Sequence, residues 1–249
     1  MSEKSLSTLD NQLLDGLEFC IAVYDLFDHV AHGPNGLERV RLRRDETAKR
    51  LIEELIPIAR YVQVRYEASN RFKVRWINGS QSHDAILYFS GDWVHIANHP
   101  TEIHLEVTTS VHPNDYLARE QLDREGVTWG PNLIARDMQT REIKGQPYVY
   151  TNDEREVELS QQIIDRIREK AEKSYPDGTI LLVNCVETGV VREDEWNQAV
   201  EVVRAERIVF PFREVVLLGS RQHRFTTLFK HRLIPLPAAP CQSCGHHES

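Results

Sequence analysis

Ile103-His104-Leu105-Glu106-Val107-Thr108-Thr109 alternates apolar and polar side chains, the period of two that belongs to a β-strand. Ile103, Leu105 and Val107 form its apolar face. His104, Glu106 and Thr108 share the other, which this reading turns away from the core. Glutamate has modest strand propensity, so Glu106 in mid-strand is either a solvent-facing acid or a functional one. Twenty-two residues upstream, Asp84 heads a second strand-like run, Ala85-Ile86-Leu87-Tyr88-Phe89. Two carboxylates on neighbouring strands are enough to share a divalent cation, because Mg²⁺ keeps several waters and needs only one or two acids. The plain alternative is that Asp84 caps the turn after Gln81-Ser82-His83.

His83-Asp84 followed by Glu106-Val107-Thr108 resembles the Pro-Asp and acid-x-Lys pattern of the restriction-endonuclease-like PD-(D/E)xK phosphodiesterases. The resemblance covers residues 43–186. It implies an α/β fold with a mixed central sheet flanked by helices around a restriction-endonuclease-like core. It further implies Mg²⁺ or Mn²⁺ held by Asp84 and Glu106, and a nucleic-acid substrate. His83 stands where the family has proline, and Thr108 where it has the lysine that orients the attacking water and steadies charge on the phosphate. Thr108 brings a hydroxyl but no charge. A cation from elsewhere would restore the set, and Lys144, Lys170 and Lys173 are the candidates. In the same family an acid from the helix before the sheet assists the metal, which nominates Glu53 or Glu54. A polar residue from the helix after it nominates Gln161 or Gln162, while a solvated helix face is the plainer account of all four. Two functions follow. One is a metal-dependent phosphodiesterase with Asp84, Glu106 and Thr108 at its centre. The other is a catalytically inactive nuclease-fold module that binds nucleic acid or a protein partner. A scaffold whose acids are ordinary surface residues is a third, weaker reading. His104, on the face shared with Glu106, is a candidate base or ligand as well as an ordinary surface histidine.

The chain has 249 residues, 41% hydrophobic and 27% charged, with a formal net charge of -8. That length suits one substantial α/β domain, read as 1–234, with an insertion at 110–153 and a flexible tail at 235–249. No apolar run reaches the roughly 18 residues of a membrane span, and Met1-Ser2-Glu3-Lys4-Ser5 shows no secretory signal, so a cytoplasmic location is expected. The net charge argues against indiscriminate coating of nucleic acid. Residues 36–76, however, carry eleven Lys or Arg against six Asp or Glu. Arg71, Lys73 and Arg75 alternate with Phe72, Val74 and Trp76, giving a half-buried strand with a basic outer face. Arg221, Arg224 and Lys230, with His223, His231 and Arg232, interleave with Phe225 and Phe229. Both stripes are candidate nucleic-acid contacts, the second combining phosphate contact with base stacking, and both are also readable as solvated faces. Oligomeric state is not legible.

Four cysteines are too few and too scattered for a disulfide scaffold, and Cys20 and Cys185 read as buried thiols. Cys241, Cys244, His246 and His247 are ligand types that zinc favours, but their spacing is too short for a closed finger, so adventitious metal binding by a tail is the preferred reading. No phosphate-binding Gly-rich loop and no Gly-x-Ser-x-Gly elbow is present.

Periodicity predicts helices over 9–30, from Asp45 to a kink or stop at Pro57, and over 115–125, 153–174 and 193–206. It predicts strands over 71–77, 82–89, 103–109, 179–186 and 214–218, and a short one over 93–97. Asn78-Gly79 marks an antiparallel hairpin. The helix 153–174 between strands 103–109 and 179–186 makes those two strands parallel.

Overall fold

The computed structural model describes residues 5–67, 71–91, 94, 99–147, 149, 151–186, 192–219 and 224–230. A seven-stranded mixed sheet forms its centre, in the order β1-β2-β3-β4-β7-β8-β9. The strands are β1 (Leu13–Asp15), β2 (Phe72–Trp76), β3 (Ala85–Phe89), β4 (Glu102–Ser110), β7 (Ile180–Cys185), β8 (Glu214–Gly219) and β9 (Phe225–Lys230). From β1 to β4 the pairing is antiparallel, from β4 through β7 to β8 parallel, and β9 returns antiparallel to β8. A separate two-stranded ribbon, β5 (Ile134–Arg136) and β6 (Ile143–Gly145), lies in the insertion.

One face of the sheet is largely apolar. Phe72, Val74 and Trp76 of β2 line up with Ala85, Leu87 and Phe89, with Leu105 and Val107, and with Leu182 and Leu218. Helices α1 (Gly16–Ala31) and α4 (Ile56–Arg65) cover that face through Phe19, Val23, Ile58 and Val62. The opposite face divides. Over β7 and β8, Leu181, Val183, Val215 and Leu217 are buried beneath α6 (Asn152–Ala171) and α7 (Glu193–Ala205). Over β2, β3 and β4 the same face carries Lys73, Arg75, Tyr88, His104, Glu106 and Thr108, as the ladder registers place them.

The remaining helices are α2 (Gly36–Leu42), α3 (Glu46–Arg50) and α5 (Asp115–Glu125). Asp45 caps α3 by accepting from the Ala48 N–H at 2.9 Å. A π turn over Leu51–Leu55 joins α3 to α4, closed by the Ile56 N–H on the Leu51 carbonyl. Pro57 lies just past it. A proline has no N–H and crowds the carbonyl four residues back, so a widened turn there carries the chain past a residue a regular helix would not tolerate. Of the two expectations at Pro57, a kink or a stop, the stop is corrected: the chain passes through the widened turn and the helix runs on to Arg65.

Three further corrections follow. Leu13 and Leu14 belong to β1, not to the first helix, which begins after Asp15 caps it and leaves Leu17 and Ile21 exposed. The spacing of the predicted helix 153–174 would turn Val157 inward, but in α6 it points to solvent. Strand β9 was not predicted, because its alternation is broken by Thr226 and Thr227. The expected strand over 93–97 falls almost entirely outside the described residues. Cys20 and Cys185 are buried and unbridged, and burial pushes the Cys20 thiol up to about 11. Among the described residues no helix is long and apolar enough to cross a membrane.

Candidate functional site

Strand β3 begins at Ala85, opposite Leu105, whereas β4 continues to Ser110. From Glu106 onward β4 therefore loses its neighbour on that side while keeping β7 on the other. An unpaired strand N–H in a buried setting needs a substitute acceptor. Asp84 provides it: its Oδ2 accepts from the Val107 N–H at 2.7 Å. Its main chain is held too, the amide donating to Leu105 O and the carbonyl accepting from Ile77 N–H. The carboxylate is thus fixed at the fork where β3 leaves off, one residue beyond the last ladder pair and in step with Glu106. Asp84 caps the edge of β4, not the turn that precedes it.

Glu106 and Thr108 share a face, as the alternation requires, but that face is not solvent-exposed. Both are buried, at 7% and 9% exposure. The C-terminal end of α6 covers them, and Lys170 Nζ donates to Glu106 Oε1 at 2.5 Å. Of the three candidate cations, the structure selects Lys170. Lys144 pairs with Asp137 in the β5–β6 ribbon, and Lys173 is exposed with Glu169 at 4.0 Å. Lys173 contributes to Glu106 only through a longer-range attraction.

A third carboxylate joins from the π turn. Glu54, not Glu53, is held there, paired with Arg50 and accepting from Trp76 Nε1 at 3.3 Å. Glu53 turns to Arg43 at 2.7 Å. Gln161 and Gln162 bond along α6 to Asp165 and Glu158 and take no part.

The three acids repel one another. Burial, then the charge of Glu106, raises the Asp84 carboxyl to about 6 despite the Val107 N–H and the nearby Lys170. Glu54 is raised by burial and by Asp84, and Glu106 by burial against the opposing pull of Lys170. Tyr175, whose buried hydroxyl lies near Glu106, is raised by burial and by Glu106 and Asp84. Tyr175 was missed in the sequence because it lies beyond the helix, with no pattern tying it to Glu106. Among the described residues no group of three or more His, Cys, Asp or Glu side chains converges closely enough to hold an ion. Any cation would rest on two acids. Val107 takes one oxygen of Asp84 and Lys170 one oxygen of Glu106, leaving one oxygen on each, a hard donor set that suits Mg²⁺ with its retained waters.

The basic stripes fare differently. Lys73 and Arg71 are exposed on or beside β2, and Arg75 lies half-buried over the Tyr88 ring at 5.1 Å. Arg224 is corrected. Its side chain is 1% exposed, stacked over Trp196 at 5.7 Å and donating to the Arg192 carbonyl at 2.9 Å, so it is a packing residue and not a surface contact. Phe225 and Phe229 pack inward, against Tyr61 and Phe210, and offer no stacking platform. Arg221, the Lys230 side chain, and the Cys241, Cys244, His246 and His247 tail lie outside the described residues.

A groove between α1 and α4, lined by Tyr24, Phe27, Ile56, Arg60, Val64 and Phe225, opens elsewhere and contains none of these acids. Searches against family models, curated proteins and solved structures return no match to this chain.

Proposed function

We propose that this protein is a metal-dependent phosphodiesterase acting on nucleic acid, with Asp84 and Glu106 as metal ligands and Lys170 in the role the sequence motif would give to a lysine at Thr108. The observation that carries the reading is Lys170 on Glu106 beside Asp84. It puts the three expected charges together, although one comes from a helix instead of the strand. The order of elements supports it as well. Setting aside the insertion that holds α5, β5 and β6, a helix, three antiparallel strands, a helix and a parallel strand run from Glu46 to Cys185, the order that the resemblance implies.

Bound Mg²⁺ or Mn²⁺ would neutralise the phosphate and lower the pKa of a water. The chain's own groups have distinct tasks. Asp84 and Glu106 present one oxygen each at the sheet fork. Lys170, largely buried and ion-paired, opposes the upward push of burial on Glu106 and offers its remaining N–H groups to a water or to the phosphate. Glu54, anchored by Arg50 and Trp76, lies close enough to Asp84 to be raised by its charge, and adds a third carboxylate beside the two ligands.

The test is incubation of the purified protein with single- and double-stranded DNA and RNA in Mg²⁺ or Mn²⁺, beside Asp84→Asn, Glu106→Gln and Lys170→Met. Cleavage by the parent and loss in all three variants supports the reading. Intact substrates with both metals, or an unimpaired Glu106→Gln, overturns it. The second reading, an inactive nuclease-fold module, takes its support from Thr108 standing where the motif has its lysine. It expects salt-sensitive binding without turnover.

A further inference from the structure

Next to the acids, on the same face of the sheet, lies a set of nitrogen groups that the cleavage reading leaves unused. His83 directly precedes Asp84, and His104 stands two residues before Glu106 on its face of β4. Their rings meet edge-to-face at 4.5 Å. Arg75 joins them across the ladder, since Arg75 pairs with Ile86 and Ile86 with His104. Four of their nitrogens are buried without a partner: Nδ1 and Nε2 of His83, Nδ1 of His104 and Nε of Arg75. Buried polar atoms are usually satisfied, and several orphans in one place call for an account.

We infer that Arg75, His83 and His104 form an anion subsite that holds a phosphate of the substrate next to the one being cut. Arg75 supplies the permanent charge, its guanidinium already oriented by the Tyr88 ring. The imidazoles supply N–H donors, which a phosphate oxygen accepts in charge-assisted bonds. A cation is the wrong occupant, because Arg75 repels it. Exposed Lys73, two residues along β2 from Arg75, extends the positive track on the same face. The inference rests on the phosphodiester reading for the identity of its ligand, but not for the existence of the site.

The test follows the histidine ring resonances of the full chain by NMR in EDTA, so that no cleavage occurs, while inorganic phosphate or 5′-phosphorylated dithymidine is added. The expected result is movement of the His83 and His104 signals with both probes, tighter for the dinucleotide, and an affinity for it lowered about tenfold by Arg75→Gln. His104→Phe keeps a ring against His83 and serves as the second variant should Arg75→Gln fold poorly. Silent histidines with both probes overturn the subsite. Movement with inorganic phosphate alone overturns its assignment to substrate. If the dinucleotide moves the signals but no nucleic acid is ever cleaved, the catalytic reading falls and the subsite stands; cleavage with silent histidines sinks the subsite alone.

Discussion

Glu106 and Glu214 are both strand glutamates with almost no exposure, 7% and 5%, yet their surroundings are built to opposite ends. Glu214 opens β8 and meets Arg65 and the Thr227 hydroxyl, the latter at 3.1 Å. Both reach the same oxygen, Oε1, and Arg213 adds a second nearby cation, so positive charge matches or exceeds negative. Glu106 meets one lysine but shares its neighbourhood with Asp84 and Glu54. Equal burial therefore does not distinguish a structural ion pair from a candidate site; the balance of charge does. A fold gains little by crowding three acids around two cations, Lys170 and Arg50, with the Asp84 carboxyl still pushed up, and such under-compensated sites are where function concentrates.

The sharpest way to break this contrast is to neutralise each glutamate in turn. Glu106→Gln is expected to lower metal-dependent cleavage at least about 100-fold and to shift the unfolding midpoint less than Glu214→Gln does, because relief of the repulsion from Asp84 and Glu54 offsets part of the cost of leaving Lys170 without its partner. Glu214→Gln is expected to leave cleavage intact and to cost about 2 kcal/mol in urea unfolding, less than a fully buried pair because the Arg65 side chain is 30% exposed. Exchange of the two outcomes would undo the comparison.

The acid-side stability of the metal-free protein provides the next test. With Asp84 raised to about 6 against an ordinary value of 3.8, the folded state binds a proton that the unfolded state has already released across the window between them. Stability should therefore fall as pH rises from about 4 to 6, by up to about 3 kcal/mol. Asp84→Asn should flatten that slope, and saturating Mg²⁺ should reverse it. Thermal melts at a series of pH values would measure both, and a parent protein that gains stability over this interval contradicts the assigned environment.

Smaller effects separate the two basic stripes. Lys73→Ala should weaken nucleic-acid binding modestly and reduce the salt slope by about one, as for a single phosphate contact. Arg224→Ala should leave binding alone and lower stability, since it removes a buried guanidinium from Trp196. Fluorescence anisotropy at several salt concentrations, with a melt of each variant, distinguishes them.

The meander of strands and the helix that makes β4 and β7 parallel were readable because period-two and 3.6-residue patterns are local. Asp84 and Glu106 were readable for the same reason, each standing out against a regular run. Two features were not. Burial of Glu106 depends on α6 folding back across β4, a tertiary event with no signature in the strand itself. Lys170 and Glu54 could be nominated but not chosen, since a charged residue on an amphipathic helix looks the same whether it meets water or a buried carboxylate. Arg224 shows the converse error: a cation among aromatics reads as a surface for bases, although here the aromatics belong to the core.

The widened turn between Arg50 and Pro57 has a consequence for how the chain tolerates change. It carries one residue more than a regular helix would, so the segments on either side are out of phase by roughly 100°, one residue's rotation. Deleting any single residue there would bring them back into phase and swing Arg50, and whichever acid it then met, away from Trp76 and Asp84. Substitutions in this stretch should be absorbed one side chain at a time, whereas a single-codon deletion would dismantle one whole corner of the acid cluster in a helix that still forms.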